Sequence, residues 1–258
     1  MASVIFSVGF NSVYHLSDLP SFVSGSYIVF FDPHCKFLPN ISAVNPGKRI
    51  DFVSADVLTH YKDQFQPYCV FGCDMKTSYN GTIFRLPLRT VSQATESQLS
   101  KQCYSEDDIM HLLDEIHLES SSCMLFLKNM EMINIYDWKP DSNSPDLKHS
   151  CSLKSANAGR KQHRDALKRL SGAWTSAWSG ISSIPKHLDS FTLHFETKRY
   201  AKTAQVEVKL EAFLIVQCLE ASTSKIGMMS ASVAKRHGVC LLPWAAVAAK
   251  VSENNAEV

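Results

Sequence analysis

Hydrophobic residues in the first hundred positions come in short runs separated by turn signals. The segment SFVSGSYIVFFDP holds two β-rich runs divided by Gly25 and closed by Asp32 and Pro33, which predicts two short strands. The run NGTIFRLPLR predicts another strand, entered through an Asn-Gly turn. Between them, SADVLTHYKDQF predicts a short helix with Ser54 as its N-cap. This part of the chain is therefore expected to combine strands with short helices.

The clearest helical pattern in the chain is SEDDIMHLLDEIHLE. Ser105 can cap this helix, and the acidic residues of its first turn favour the N-terminal end of the helix dipole. Four apolar residues at helical spacing predict one buried stripe: Ile109, Leu112, Leu113 and Ile116. The runs CMLFLKN and MEMINIYDW come next and predict antiparallel strands.

After Trp138 the composition changes to KPDSNSPD, which predicts either a domain boundary or the tip of a long hairpin. Beyond it we expect a strand near residues 150–154 and a basic helix in GRKQHRDALKRLS. Further strands are predicted in DSFTLHFET, VEVKLEAFLIVQCLE, IGMMSASVA and GVCLLPWAAVAA. We expect a first domain at residues 1–138 and a second α+β segment at 139–258, with one continuous domain as the alternative.

Composition and charge narrow the class of protein only slightly. Hydrophobic residues make up 45% of the chain and the net charge is +1, so no global field favours a nucleic acid or a membrane. Cys69 and Cys73 lack the second ligand pair of a structural zinc site, so we expect the eight cysteines to be reduced thiols. The apolar runs are too short to span a bilayer. We expect a cytoplasmic or, alternatively, a nuclear protein with no membrane partner.

The segment SVGFNSVYHLSDLPSFVSGSYIVFFDP resembles the glycine-rich motif of the gyrase, histidine-kinase and heat-shock-chaperone ATPases, in the form found in plant sacsin-type proteins. The runs NPGKRIDF, YKDQFQPYCVFGCDM, NGTIFRLPLR and LLPWAAVAA extend this resemblance over nearly the whole chain. The resemblance implies the C-terminal part of a Bergerat-type (histidine-kinase-like ATPase) α/β sandwich at residues 1–138. A smaller α+β segment is expected to follow, which makes the fold class α+β.

The same resemblance implies a set of nucleotide-binding residues. It places phosphate-binding amides at Val8, Gly9 and Phe10, because N–H groups at a glycine-rich turn that opens a helix converge on an anion. It places Gly81 and Thr82 on a strand beneath the adenine, where the hydroxyl can hydrogen-bond to the base or to a water. Without the resemblance, the first motif is a tight turn before a buried helix. The second is then a turn followed by a strand residue.

Two features of the sequence depart from the family pattern. The family takes its water-activating acid, its magnesium-binding asparagine and its adenine-reading aspartate from a helix and loop before the glycine-rich motif. Eight residues precede Gly9 here, without Asp, Glu or Asn, and Ser7 stands where the family has a glycine. Because hydrolysis needs a positioned base and a metal, we expect no catalytic residue and no ATPase activity from this chain alone. ATP or ADP with Mg²⁺ is expected only where an upstream part completes the site.

The resemblance implies a chaperone or co-chaperone module linked to heat-shock-protein and protein quality control pathways, with heat-shock chaperones or client proteins as partners. A non-catalytic protein-interaction module without nucleotide binding is the alternative. A nucleic-acid-binding protein that uses the basic helix around Arg160, Lys161 and Lys168 is the least favoured reading, because aromatic stacking residues are not interleaved with those charges.

Overall fold

The computed structural model describes residues 9–127, 130–139, 142–154, 186–200, 206–237 and 244–257. These residues form an α+β protein with two antiparallel sheets, as the sequence predicts at the level of class. The chain divides into two compact units, residues 1–110 (unit 1) and residues 111–258 (unit 2). None of the helices in the described part is long and apolar enough to cross a membrane. Val8 and the predicted basic helix lie outside the described residues.

Unit 1 is built on a four-stranded antiparallel sheet with the order β3-β2-β1-β4. Its strands are β1 (Ser21–Gly25), β2 (Tyr27–Phe31), β3 (Gly47–Asp51) and β4 (Tyr79–Arg85). Its short helices are α1 (Phe52–Ala55), α2 (Val57–His60), α3 (Lys62–Phe65) and α4 (Val91–Glu96), with 3-10 helices at Phe10–His15 and Gln66–Tyr68. The predicted strands in SFVSGSYIVFFDP and NGTIFRLPLR are confirmed, but the predicted Asn-Gly turn is wrong, because Asn80 and Gly81 lie within β4.

One face of this sheet carries the core of unit 1. Gly25, with φ of +58°, turns β1 directly into β2 without the strain that a Cβ would bring. The alternation of side chains along the strands then places Val23 and Ile28 on the same face. Phe52 and Tyr68 cover that face from the short helices, and all four side chains are fully buried. The opposite face carries the alternate residues of the same strands.

The helix predicted in SADVLTHYKDQF is in fact three short helices, and its predicted N-cap at Ser54 is wrong. The carboxylate of Asp51 accepts hydrogen bonds from the amides of Val53 and Ser54, both at 3.2 Å, and so caps α1. Asp56 adopts a left-handed conformation with φ of +43° between α1 and α2. A left-handed residue cannot continue a right-handed helix, so the segment is interrupted there.

Unit 2 is a five-stranded antiparallel meander with the order β5-β6-β7-β8-β9. Its strands are β5 (Met132–Asp137), β6 (Asp146–Leu153), β7 (His187–Tyr200), β8 (Val206–Leu219) and β9 (Trp244–Glu257). The helices are α5 (Glu106–Met124), whose first residues belong to unit 1, and α6 (Lys225–His237). β5 and β6 pair as an antiparallel hairpin with Asp137 opposite Asp146, which agrees with one of the two outcomes predicted for KPDSNSPD. The domain division at residues 138 and 139 stays a prediction.

Two predicted strands of this half are not strands in the residues that the structure describes. The start of CMLFLKN is the last turn of α5, which runs to Met124, and IGMMSASVA lies within α6. Short apolar runs do not distinguish a strand from a helix by periodicity. The decisive signal at α6 is its N-cap, because the hydroxyl of Ser224 accepts a hydrogen bond from the amide of Gly227 at 3.0 Å.

The face that α5 buries also differs from the predicted one. Leu112 and Ile116 of the predicted stripe are 40% and 37% exposed, whereas Ser120, Ser121 and Met124 are buried. Met124 belongs to the unit 2 core, whose strand residues are Cys151, Leu193, Phe195, Phe213 and Ile215. The hydroxyls of the two serines pair with buried polar groups of the sheet. The buried part of α5 is therefore its C-terminal end and not the apolar stripe that the spacing predicts.

Candidate functional site

Four phenylalanine rings lie together on the face of the unit 1 sheet that is opposite its core. Phe22, Phe31 and Phe84 project from three strands, and Phe10 reaches them from the first 3-10 helix. Ring centroids are 5.0 Å apart for Phe10 and Phe31, 6.2 Å for Phe10 and Phe84, and 5.6 Å for Phe22 and Phe84. Phe10 is 40% exposed and Phe84 is 56% exposed. We call this group of four rings the aromatic face.

Two hydroxyl groups border the aromatic face. Ser24 of β1 lies opposite Thr82 of β4, and Thr82 Oγ1 donates a hydrogen bond to Ser24 Oγ at 3.2 Å. Ser24 Oγ in turn donates to the carbonyl of Gly81 at 3.2 Å. A Cβ at Gly81 would lie 2.8 Å from the ring of Tyr79, so a larger residue there would displace that ring. Because a hydroxyl has two acceptor lone pairs, Thr82 keeps the capacity to accept from a ligand.

A positive charge lies on the same face at the β2–β3 side. The guanidinium of Arg49 is 4.8 Å from the centroid of the Tyr27 ring, a cation–π geometry. Tyr27 pairs with Ser24, and Arg49 pairs with Val29 next to Phe22, so both side chains share the face of the four rings. The face therefore offers stacking surfaces, hydroxyls and one guanidinium.

The structure brings most of the predicted site residues together. Phe10 and Thr82 share the aromatic face, Gly81 supplies backbone beside Thr82, and Gly9 directly precedes Phe10. Val8 lies outside the described residues. Among the described residues, none lies within 4 Å of the position that a Cβ would take at Gly9. The helix that begins at Phe10 is a six-residue 3-10 helix.

A cluster of buried polar side chains that the sequence did not predict lies next to the end of the first 3-10 helix. We call it the Asp18 cluster, and it consists of Asp18, His34, Arg89 and Ser97, all with buried side chains. Asp18 Oδ1 accepts from Arg89 Nε at 2.7 Å and from Ser97 Oγ at 2.9 Å. His34 Nε2 is 3.3 Å from Ser97 Oγ and 3.6 Å from Asp18 Oδ1.

The geometry of the Asp18 cluster does not fit a nucleophilic triad. A triad histidine uses one ring nitrogen for the serine and the other for the carboxylate, whereas His34 directs the same Nε2 at both. The Ser97 hydroxyl donates to Asp18, so its proton is not directed at an imidazole. The cluster therefore has a structural arrangement, centred on a buried ion pair.

A pair of histidines joins α5 to β6 in unit 2. The Nδ1 atoms of His117 and His149 face each other, and Ser120 Oγ lies 3.3 Å from His149 Nε2. Ser120 Oγ also donates to the carbonyl of His117 at 2.9 Å. A hydrogen bond to the backbone of Lys198 further engages the His149 ring. Burial, followed by the neighbouring His117, lowers the pKa of His149 to about 4.

A buried carboxylate holds the next turn of α5 to the sheet. Glu211 of β8 accepts from Ser121 Oγ at 2.7 Å and from Lys250 Nζ at 2.6 Å, and Lys209 Nζ lies at 3.1 Å. Burial opposes its ionisation, but the hydrogen bonds from Lys250, Ser121 and Lys209 outweigh that effect, so the pKa of Glu211 lies below its ordinary value. In the described ranges, no group of three or more His, Cys, Asp or Glu side chains is arranged to hold a metal ion.

These features define an α+β protein with two sheets. The first sheet has an open aromatic face, and the second sheet contacts helix α5 through polar side chains. A family model described as "Sacsin domain" matches residues 4–150, which is more than half of the chain. The chain therefore belongs to the Sacsin domain family. Human sacsin (Homo sapiens) is 28% identical over 253 residues, a match that covers 96% of this chain and 5% of sacsin. This confirms the resemblance to sacsin-type proteins.

The residues that sequence reasoning missed have only weak local signals. Asp18 and Arg89 each stand beside leucine and proline, in HLSDLP and RLPLR, and a charge in an apolar setting indicates a buried pair. The two partners are 71 positions apart, so the sequence does not identify them as a pair. His117 and His149 are 32 positions apart and have no local signal at all.

Proposed function

We propose that the aromatic face of unit 1 is the nucleotide-binding face of a Bergerat-type sandwich. The observation that carries the proposal is the convergence of Phe10 and Thr82 on one open face, from segments about seventy residues apart in the sequence. Aromatic rings supply stacking surface for a purine, and the Thr82 hydroxyl supplies a hydrogen bond to its edge or to a bridging water. The amides at Gly9 and Phe10 would face a phosphate group at the border of this surface.

The proposed site is incomplete within the described residues. The face carries the hydroxyls of Ser24 and Thr82 and the guanidinium of Arg49, and Asp51 lies in register with Tyr27 at its border. The Asp51 carboxylate already accepts the amides of Val53 and Ser54 as the cap of α1, and hydroxyls and a guanidinium supply neither a general base at neutral pH nor a ligand set for Mg²⁺. We therefore propose that the chain alone does not hydrolyse ATP and binds nucleotide only at millimolar concentration. Micromolar binding of ATP or ADP with Mg²⁺ requires further residues of a sacsin-type protein that complete the pocket.

The wider role that we propose is that of a chaperone or co-chaperone module. The support is membership of the Sacsin domain family together with the resemblance to heat-shock-chaperone ATPases in the glycine-rich segment. The chain spans 5% of human sacsin, so the activity and partners of the whole relative are part of the proposal. Heat-shock chaperones or client proteins are the proposed partners, in the cytoplasm or the nucleus.

Calorimetry with ADP and with a non-hydrolysable ATP analogue, each with Mg²⁺, tests whether the site is incomplete. We expect no saturable heat at micromolar ligand and no phosphate release from ATP above the blank. Thr82→Val removes the hydroxyl at almost constant volume, and Thr192→Val makes the same change on an exposed strand position of unit 2. Micromolar binding that Thr82→Val weakens and Thr192→Val leaves intact would keep the aromatic face as the site but contradict its incompleteness.

A second candidate function is a protein-interaction module without nucleotide binding. Phe84 at 56% exposure and Phe10 at 40% exposure favour it, because clustered exposed aromatic rings mark surfaces that bind proteins. The two functions use the same face and differ in the ligand that perturbs it. Nucleotide binding requires a response at the Thr82 hydroxyl, whereas protein binding centres on the four rings.

A further inference from the structure

Arg89 connects more chain segments of unit 1 than an ordinary ion pair would. Its Nε donates to Asp18 at 2.7 Å, and its Nη1 donates to the carbonyl of His15 at 2.7 Å. Nη1 also lies 3.4 Å from the carbonyl of Gln102, and Nη2 donates to the carbonyl of Tyr14. The side chain is 4% exposed and directly precedes the N-cap of α4. One guanidinium thus fixes the end of the first 3-10 helix to the chain that follows β4.

The 3-10 helix that carries Phe10 has little packing of its own. None of the residues from Phe10 to His15 is buried, and Phe10 touches the sheet through partly exposed rings. Leu16 and Ser17 donate to the carbonyl of Val13, which leaves the carbonyls of Tyr14 and His15 at the end of the helix for Arg89. The anchor at this end therefore comes from the guanidinium and from Asp18, and not from apolar burial.

A lysine could not replace this anchor. The guanidinium is a planar fork whose donors point to separate acceptors, whereas an ammonium is a single charged point on a flexible stem. A lysine at position 89 could pair with Asp18, but it could not also bind the carbonyls of Tyr14 and His15 in the observed directions. The ion pair and the anchoring of the helix can therefore be separated by experiment.

We propose that Arg89 is the positioning residue of the aromatic face: its fork on Asp18, Tyr14 and His15 holds the 3-10 helix in place, so that Phe10 stays on the sheet. The role as a ligand-binding face rests on the proposed function, but the positioning of Phe10 is a property of the unliganded chain. Ser97 and His34 complete the anchor by closing the buried side of Asp18.

Hydrogen exchange on the full chain, read by mass spectrometry of peptides, tests this inference without a ligand. We expect Arg89→Lys to speed exchange in residues 9–18 at least tenfold and to leave the strand segments 21–31 and 79–85 within about twofold of the original chain, because local opening exchanges one segment independently of the rest. The matched control is Arg85→Lys, the same change at an exposed arginine four residues earlier, which should alter neither region.

Either of two results would overturn the inference. Unchanged exchange in residues 9–18 would mean that the fork is not needed, and an equal acceleration in that segment and the strands would assign Arg89 to general stability alone. If Arg89→Lys does not fold, Asp18→Asn is the second variant, with the same regional pattern expected. A titration with millimolar ADP, followed by amide shifts, separates the positioning of Phe10 from the nucleotide function. Shifts at Thr82 in the original chain that Arg89→Lys abolishes support both proposals. No shift in the original chain removes the nucleotide function, and the exchange pattern still decides the positioning of Phe10.

Discussion

Asp18→Ala is expected to lower the free energy of unfolding of unit 1 by about 3–5 kcal/mol, the usual cost of removing one partner from a buried charge pair. The substitution leaves the guanidinium of Arg89, which is 4% exposed, without its carboxylate. It also removes the acceptor of the Ser97 hydroxyl. A loss of this size is a large fraction of the stability of a small domain.

The measurement is urea unfolding followed by far-UV circular dichroism, with tryptophan fluorescence as an internal reference. All four tryptophans lie beyond residue 110, so their fluorescence reports unit 2 and should keep its transition in the variant. Asp63→Ala, at an exposed acid of α3, is the matched control and should change the stability of unit 1 by less than about 0.5 kcal/mol. A loss below about 1 kcal/mol for Asp18→Ala would contradict the account of the Asp18 cluster.

Unit 2 is expected to lose about 3 kcal/mol of stability as the pH falls from 6.5 to 4, because each unit of pKa shift corresponds to about 1.4 kcal/mol. The pKa of His149 is lowered to about 4 in the folded chain, and burial and the Arg199 guanidinium also lower the pKa of His117. The unfolded chain therefore binds more protons in this range. The stabilisation is complete above pH 6.5 and is lost as the pH decreases, since a charge on His149 would be buried and would lie against His117.

Urea unfolding followed by tryptophan fluorescence at several pH values measures this effect in unit 2. Between pH 6.5 and 4.5 most carboxylates keep their charge, so the slope there reports the histidines. His149→Gln should flatten the slope, whereas His111→Gln, at an exposed position of α5, should leave it unchanged. A slope that survives in His149→Gln would show that other groups cause the pH dependence.

The sequence predicts unit 1 better than unit 2 for a physical reason. Gly25 marks the end of β1 locally, and β1 and β2 follow from it, whereas Asn80 and Gly81 lie inside β4 and not in the turn predicted to enter it. The runs CMLFLKN and IGMMSASVA have no such marks inside them, and both were wrongly predicted as strands. In α5, contacts of Ser121 with a distant glutamate decide which face is buried, and no local pattern contains that partner.

The candidate site shows the same division between local and distant information. The resemblance to sacsin-type proteins led to Phe10 and Thr82, and the structure places them on one face. The Asp18–Arg89 pair, which holds the segment that carries Phe10, was not predicted. A charge between apolar residues signals burial, but its partner is fixed only when the sheet brings distant segments together.

The most direct test of the central claim is an amide shift map of the isotope-labelled chain, titrated with ADP and Mg²⁺ to millimolar concentration. We expect shifts confined to the aromatic face and its border, at Gly9, Phe10, Ser24, Thr82 and Phe84, with Thr192 of unit 2 unchanged. No shifts, or shifts concentrated in unit 2, would contradict the assignment of this face to nucleotide binding. Its exposed rings would then stand as a surface for protein partners.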